Sequence, residues 1–168
     1  MKLLILGAGG YGQTVADIAE QSGLYEKICF LDDNSNAQYV IGKCIDYTKY
    51  KEWCIYPTFG NNEMRLSWIE RLKKEGLSIP TIIHSSAYVS SKAKIEYGSV
   101  VLPHAVINTN CVVEKGCIIN CGAIIDHGCV IEQGCHICLG AIVKAENRIS
   151  KYSKIEAGEV VQARTFPL

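Results

Sequence analysis

Residues 119–143 read INCGAIIDHGCVIEQGCHICLGAIV, with Ile or Val at every sixth position: Ile119, Ile125, Ile131, Ile137 and Val143. The spacing runs outward without an insertion, back through Val113, Ile107, Val101, Ile95 and Val89 to Ile83, and on through Ile149 and Ile155 to Val161. An amphipathic helix repeats at about 3.6 residues and a half-buried strand at about two, so a strict six is neither. It marks hexapeptide repeats that coil into a parallel β-helix. Three hexads make one triangular coil, which stacks residues 18 apart and gives a prism of a little over four coils.

The register assigns the other positions. The fifth residue of each hexad is mostly small, as at Ala105, Cys111, Cys117, Ala123, Cys129, Cys135 and Ala141. These suit narrow interior corners and give four cysteines a packing role, with Cys111 under Cys129 and Cys117 under Cys135. The fourth position is the corner turn, filled by Gly at 98, 116, 122, 128, 134, 140 and 158 and by Asn at 110. Those residue types tolerate positive φ. The pattern weakens after Val143, where Glu146, Asn147, Tyr152 and Ser153 fall at corner and core positions, so a bulge or a partner contact is expected there.

The chain has 168 residues, room for one ordinary domain or two small ones. Its formal net charge is zero and no basic stripe points to nucleic acid. The apolar start meets Gly7 at once, too early for a signal peptide or a membrane span. Nine cysteines, an odd number without a secretory signal, fit reduced thiols in the cytoplasm.

Ahead of the repeats, Lys2 to Leu6 reads as a buried strand, Gln13 to Gln21 as a helix, and Lys27 to Leu31 as a second strand ending in Asp32-Asp33. Between the first two lies Gly7-Ala8-Gly9-Gly10-Tyr11-Gly12, a G-x-G-x-x-G, with Asp32 lying 20 residues past Gly12. The chemistry this pattern serves is a phosphate against backbone amides at a helix N-terminus, with a carboxylate beyond it for a sugar or base. Met1 to Pro80 holds about half of a doubly wound dinucleotide fold. Three readings stand: a mononucleotide or nucleotide-sugar, NAD, or a structural turn without a ligand. Trp53 to Phe59 reads as a further strand, and Asn61 or Asn62 can cap a helix over Glu63 to Glu75. Gly60 and Asn61 then join Gly9, Gly10, Tyr11, Asp32 and Asp33 at the C-terminal ends of parallel strands, where α/β sheets bind ligands. Thr48 to Glu52 is polar and carries no recognisable chemistry. The expected division is 1–80, an α/β Rossmann-like half-domain, and 81–168, an all-β parallel β-helix.

In the repeats, Cys135-His136-Ile137-Cys138 invites a zinc reading. Cys129 and Cys135 face inward by register, however, while Cys138, His127 and His136 do not, so no tetrahedral metal site is expected. His127 is the third residue of its hexad, at an outward corner. It is either an exposed corner residue or a general base, since an imidazole titrates near neutrality. His136 lies nine residues on, half a circuit away. The two meet only across an interface between prisms packed in a closed cyclic assembly. His84 and His104 read as surface or junction residues.

On the stretches LGAGGYG, FLDDN, FGNNEMR, VLPHAVINTN and INCGAIIDHGCVIEQGCHICLGA, nearly the whole chain resembles the bacterial sugar acyltransferases of the NeuD/PglD type. The resemblance implies a left-handed coil, against the usual right-handed crossover preference. It implies acetyl transfer from acetyl-CoA to a sugar amino or hydroxyl group, with no metal, in a homotrimer. It also implies His127 as general base, His136 as an acetyl-CoA contact from the neighbouring protomer, and Asn120 as a substrate contact. Gly9, Gly10, Tyr11, Asp32, Asp33 and Gly60 match its nucleotide-sugar site. Two features depart from that family. Relatives carry Asp or Glu directly after the catalytic His, where this chain has Gly128, so the base is modulated by Asp126, by a substrate group, or is weak. The repeats also run one or two coils short before the tail. The rival expectation is a catalytically weak or inactive nucleotide-sugar-binding or regulatory protein on the same fold.

Overall fold

The computed structural model describes residues 1–167. Residue 168, the end of the expected second domain, lies outside them. The chain divides into two compact units, residues 1–80 and 81–168.

In the first unit, strand β1 (Lys2–Leu6) lies between β2 (Lys27–Leu31) and β3 (Cys54–Pro57), all parallel. Leu3, Leu4, Ile5 and Leu6 are fully buried, as a central strand covered on both faces requires. Helix α1 (Gly10–Gln21) starts three residues earlier than its apolar pattern indicates, because the glycines of the preceding loop supply its first turn. It buries Val15, Ile18 and Ala19. Helix α2 spans Asn62–Lys74, and Asn61 caps it by accepting the Met64 amide at 2.8 Å. The polar stretch around Thr48 belongs to a 3₁₀ helix, Cys44–Tyr50, which buries Cys44 and Tyr47.

The second unit is a left-handed parallel β-helix of two-residue strands running from Ile82–Ile83 to Val160–Val161. Its first face pairs strands 82–83, 100–101, 118–119, 136–137 and 154–155; the second pairs 88–89, 106–107, 124–125, 142–143 and 160–161; the third pairs 94–95, 112–113, 130–131 and 148–149. Partners are 18 residues apart throughout. The second residue of each strand points inward, and Val101 through Val143 at these positions are fully buried. Ile83 departs from that expectation. It is 41% exposed, because the first coil has no coil beneath it.

The corners hold their shape by backbone conformation. Every fourth hexad position from Gly98 to Arg164 takes a left-handed φ, including the non-glycine residues His104, Asn110, Glu146, Tyr152 and Arg164. The coils therefore continue without a bulge past Val143, which removes one of the two alternatives the sequence left open there. The fifth positions do more than fill space. The thiols of Cys111, Cys117, Cys129 and Cys135 donate to the carbonyls of Asp126, Glu132, Lys144 and Ser150 at 3.0–3.2 Å. Asn147 takes the same position without becoming an unsatisfied buried polar group: its Nδ2 donates to the carbonyls of Lys144 and Gln162, and its Oδ1 accepts the Phe166 amide, all at 2.8 Å.

Candidate functional site

The glycine loop of the first unit is gripped from both neighbouring strands. Gly7 N donates to Leu31 O at 2.8 Å, and Thr58 Oγ1 lies 2.9 Å from the carbonyl oxygens of Leu6 and Gly7. A Cβ on Gly12 would collide with the Gly7 carbonyl oxygen, so this glycine allows helix and loop to approach. Gly9 and Gly10 are exposed at the start of α1, which has no side-chain cap and no acidic residue in its first turn. Gln13 N takes Gly9 O at 3.0 Å, and the amides ahead of it in the helix are those left for a cap or a ligand.

Asp32 and Asp33 are committed to this scaffold. Asp32 Oδ2 accepts the Ala8 amide at 2.7 Å, and its Oδ1 accepts those of Asn34 and Ser35 at 2.8 Å. The Ala8 amide leads the causes that hold the Asp32 carboxyl below the usual carboxylate range, followed by the opposing effect of burial and then by Asn34, Ser35 and Lys43. Asp33 Oδ1 accepts the Cys44 amide at 2.9 Å. Burial, with the two aspartates nearby, pushes the Cys44 thiol up to about 12. A cavity of about 350 Å³ opens beside these loops, lined by Asp32, Ser35, Gly42, Lys43 and Asp46 among others. Of the expected site residues only Asp32 lines it. Gly60 and Asn61 begin the separate turn into α2. Arg65, fully buried, secures that turn by donating to Phe59 O (3.1 Å) and Asn62 Oδ1 (2.8 Å). Thr58 and Arg65 were not singled out in the sequence, because their partners are fixed only once the sheet order is known.

In the prism, His127 is exposed at the corner joining the second and third faces. No hydrogen bond to its ring is present among the described residues. Its neighbour Asp126 turns Oδ1 to the His127 amide (2.7 Å) and to Asn108 Nδ2 (3.3 Å). Gly128 follows with φ +68°. His136 lies on the first face, which is opposite the corner formed by the other two. Its Nε2 is 3.0 Å from Asn120 Nδ2. The structure thus joins Asn120 to His136 and separates both from His127.

Glu146, which was not a candidate in the sequence, lies one coil beyond Gly128. Its 18-residue offset was the available signal. Among the described residues no group of three or more His, Cys, Asp or Glu side chains comes together to hold a metal ion. Burial raises the Cys138 thiol, and the Cys111 thiol together with burial raises that of Cys129. No helix among the described residues is long and apolar enough to cross a membrane.

Residues 2–72 match the family model of the PglD N-terminal domain. The acetyltransferase domain of PglB from Neisseria gonorrhoeae FA1090 is 35% identical over 97% of this chain and 83% of its own, with a TM-score of 0.93. The chain belongs to the NeuD/PglD-type sugar acyltransferases. A second structure of that PglB domain, in complex with acetyl coenzyme A, is 36% identical over 97% of this chain and 82% of its own, with a TM-score of 0.93. A variant of the perosamine N-acetyltransferase from Caulobacter crescentus, in complex with CoA and GDP-perosamine, shares the fold at 20% identity and a TM-score of 0.83, over 99% of this chain and 90% of its own. As a member of this family the chain is an acyltransferase with a hexapeptide-repeat domain.

Proposed function

We propose that the chain transfers an acetyl group from acetyl-CoA to an amino or hydroxyl group of a nucleotide-linked sugar, with His127 as general base. The observation that carries this reading is the placement of His127, an exposed imidazole on a rigid corner whose side chain the scaffold does not use. His127 takes the proton of the attacking amine or hydroxyl as the acyl–nitrogen or acyl–oxygen bond forms. The acyl–sulfur bond breaks, and the departing thiolate takes up a proton. The glycine loop at Gly9, Gly10 and Tyr11 would face the phosphates of the sugar nucleotide, with Asp32 and Asp33 shaping the adjacent loop and Gly60 and Asn61 the neighbouring turn. Support for the donor comes from the acetyl-CoA complex of the PglB domain, and for a nucleotide-sugar acceptor from the GDP-perosamine complexes of the Caulobacter enzyme.

The site is read as lying between protomers of a cytoplasmic homotrimer. The outward residues of the second face are all apolar or aromatic: Tyr88, Val106, Ile124, Ile142 and Val160. Tyr88 is 59%, Ile124 38% and Val160 42% exposed, a stripe suited to a second copy. Packing there would bring a neighbour to the His127 corner, where its His136 and Asn120 would contact acetyl-CoA. Nine free cysteines fit a reducing compartment.

The test is release of the CoA thiol from acetyl-CoA with a panel of UDP-amino-sugars and sialic acid. Turnover that falls by about a thousandfold in His127→Ala supports the reading. Sugar-nucleotide binding without CoA binding or turnover would establish the weak or regulatory alternative that Gly128 suggests.

A further inference from the structure

The corner column of the prism at 18-residue spacing is Asn110, Gly128, Glu146 and Arg164. Glu146 has a left-handed φ of 57° at a position that most other coils give to glycine. Its backbone amide donates to His127 O at 3.1 Å, which pins it to the coil below. A Cβ built on Gly128 would stand 3.5 Å from Glu146 Cγ and meet nothing else. The Glu146 Cγ therefore lies over Gly128, the residue after His127, while its side chain stays partly exposed. Arg164 Nε binds its Oε2 at 2.6 Å, while Oε1 has no hydrogen bond among the described residues.

We propose that Glu146 is a positioning residue for His127: its carboxylate, anchored by Arg164, orients the imidazole and stabilises its protonated form. The proposal rests on His127 being the general base. A carboxylate accepts through both oxygens, so Arg164 on Oε2 leaves Oε1 for an imidazole N–H. The Glu146 carboxyl is held below the usual range chiefly by Arg164, with burial opposing and the His127 charge lowering it further. The other charged groups on this corner are engaged elsewhere. Asp126 Oδ1 faces the His127 amide and Asn108, and Lys144 Nζ binds Gln162 Oε1 at 2.6 Å. Gly128, required here by its φ of +68°, supplies no carboxylate of its own beside His127.

Coupling between two titrating groups is reciprocal, so it can be read on Glu146 without turnover. An imidazole is cationic in the acid range where carboxylates titrate. In the full-length chain, ¹³C NMR of the Glu146 carboxyl should show its midpoint rising by roughly 0.3 pH units or more in His127→Gln. An unmoved midpoint overturns the proposal.

In the acetyl-transfer assay, Glu146→Gln should lower kcat about tenfold and move the acid limb of the pH–rate profile to lower pH, because the base loses the charge that favours its protonated form. The KM for acetyl-CoA should change little. Gly128→Asp on the Glu146→Gln background should recover most of the loss, and Asp126→Asn should shift the limb less than Glu146→Gln does. An unshifted limb in Glu146→Gln also overturns the proposal. If turnover survives His127→Ala, the general-base reading fails instead, and the NMR titration still decides the Glu146–His127 contact.

Discussion

A Cβ on Gly12 of the α/β unit would run into the Gly7 carbonyl, whereas one on Gly128 of the prism would meet only Glu146 Cγ, at an ordinary 3.5 Å. Gly12 is there for space, and Gly128 for a φ of +68°. Polar side chains serve the backbone in both units, and the units differ in what is left over. In the α/β unit Asp32, Asp33, Asn61, Thr58 and Arg65 are spent on backbone groups, so what remains to meet a ligand is largely main chain at the start of α1. In the prism Asn108, Asn120, Asp126, Glu114 and Glu132 likewise accept corner amides, while the His127 ring is left for chemistry. Both units spend polar side chains on the backbone; the prism differs in leaving the His127 ring outside that scaffold.

The contrast yields an ordered set of expectations. Ile125 is fully buried inside the prism, and Ile125→Ala should cost about 2–5 kcal/mol in a urea or thermal melt, through lost transfer energy and the cavity left behind. A loss under about 1 kcal/mol would mean that the coils relax into the space. Alanine at the two glycines should separate space from φ. Gly12→Ala should cost about 1–3 kcal/mol through overpacking and should also weaken binding of a UDP-sugar by calorimetry, since the loop at Gly9 and Gly10 must shift. Gly128→Ala should cost about 1–2 kcal/mol through strain alone and leave that binding unchanged.

Asp32→Asn should be mildest at neutral pH, about 1 kcal/mol, because its one amide oxygen can keep the Ala8 amide while its NH₂ turns toward the more exposed Asn34 and Ser35 amides. Its signature lies in the pH dependence. The Asp32 carboxyl is depressed in the folded chain, so its contribution is present above the unfolded value near ~4 and lost as pH falls through the folded value. The urea midpoint of the wild type should decline in acid more steeply than that of Asp32→Asn. Parallel curves would show that the carboxylate is not what holds the glycine loop.

Much of this was legible in the sequence because a fixed register maps directly onto three dimensions. Six-residue spacing located the buried Ile and Val positions, the left-handed corner at Gly128 and the outward placement of His127. Where it misled, the neighbour was missing or different: Ile83 lacks a coil beneath it, and Glu146 and Tyr152 keep the corner conformation without being glycine. In the α/β unit the strands and helices were readable from apolar runs. The use of Asp32 as an acceptor for the Ala8 amide depends on how a loop closes across a sheet, which no local pattern encodes. The Glu146 carboxylate lay between these cases, reachable from the 18-residue offset but visible only once its Cγ was seen to lie over Gly128.

Under the proposed function the prism turns its reactive groups outward, and a site is completed only between copies. Co-expression of His127→Ala and His136→Ala chains tests it directly. Each variant alone should be strongly impaired, and the co-expressed population at equal amounts should recover about a quarter of wild-type sites, those that combine His127 of one protomer with His136 of its neighbour. Mixed assemblies no more active than either parent would contradict a shared site, as would full activity in His136→Ala alone.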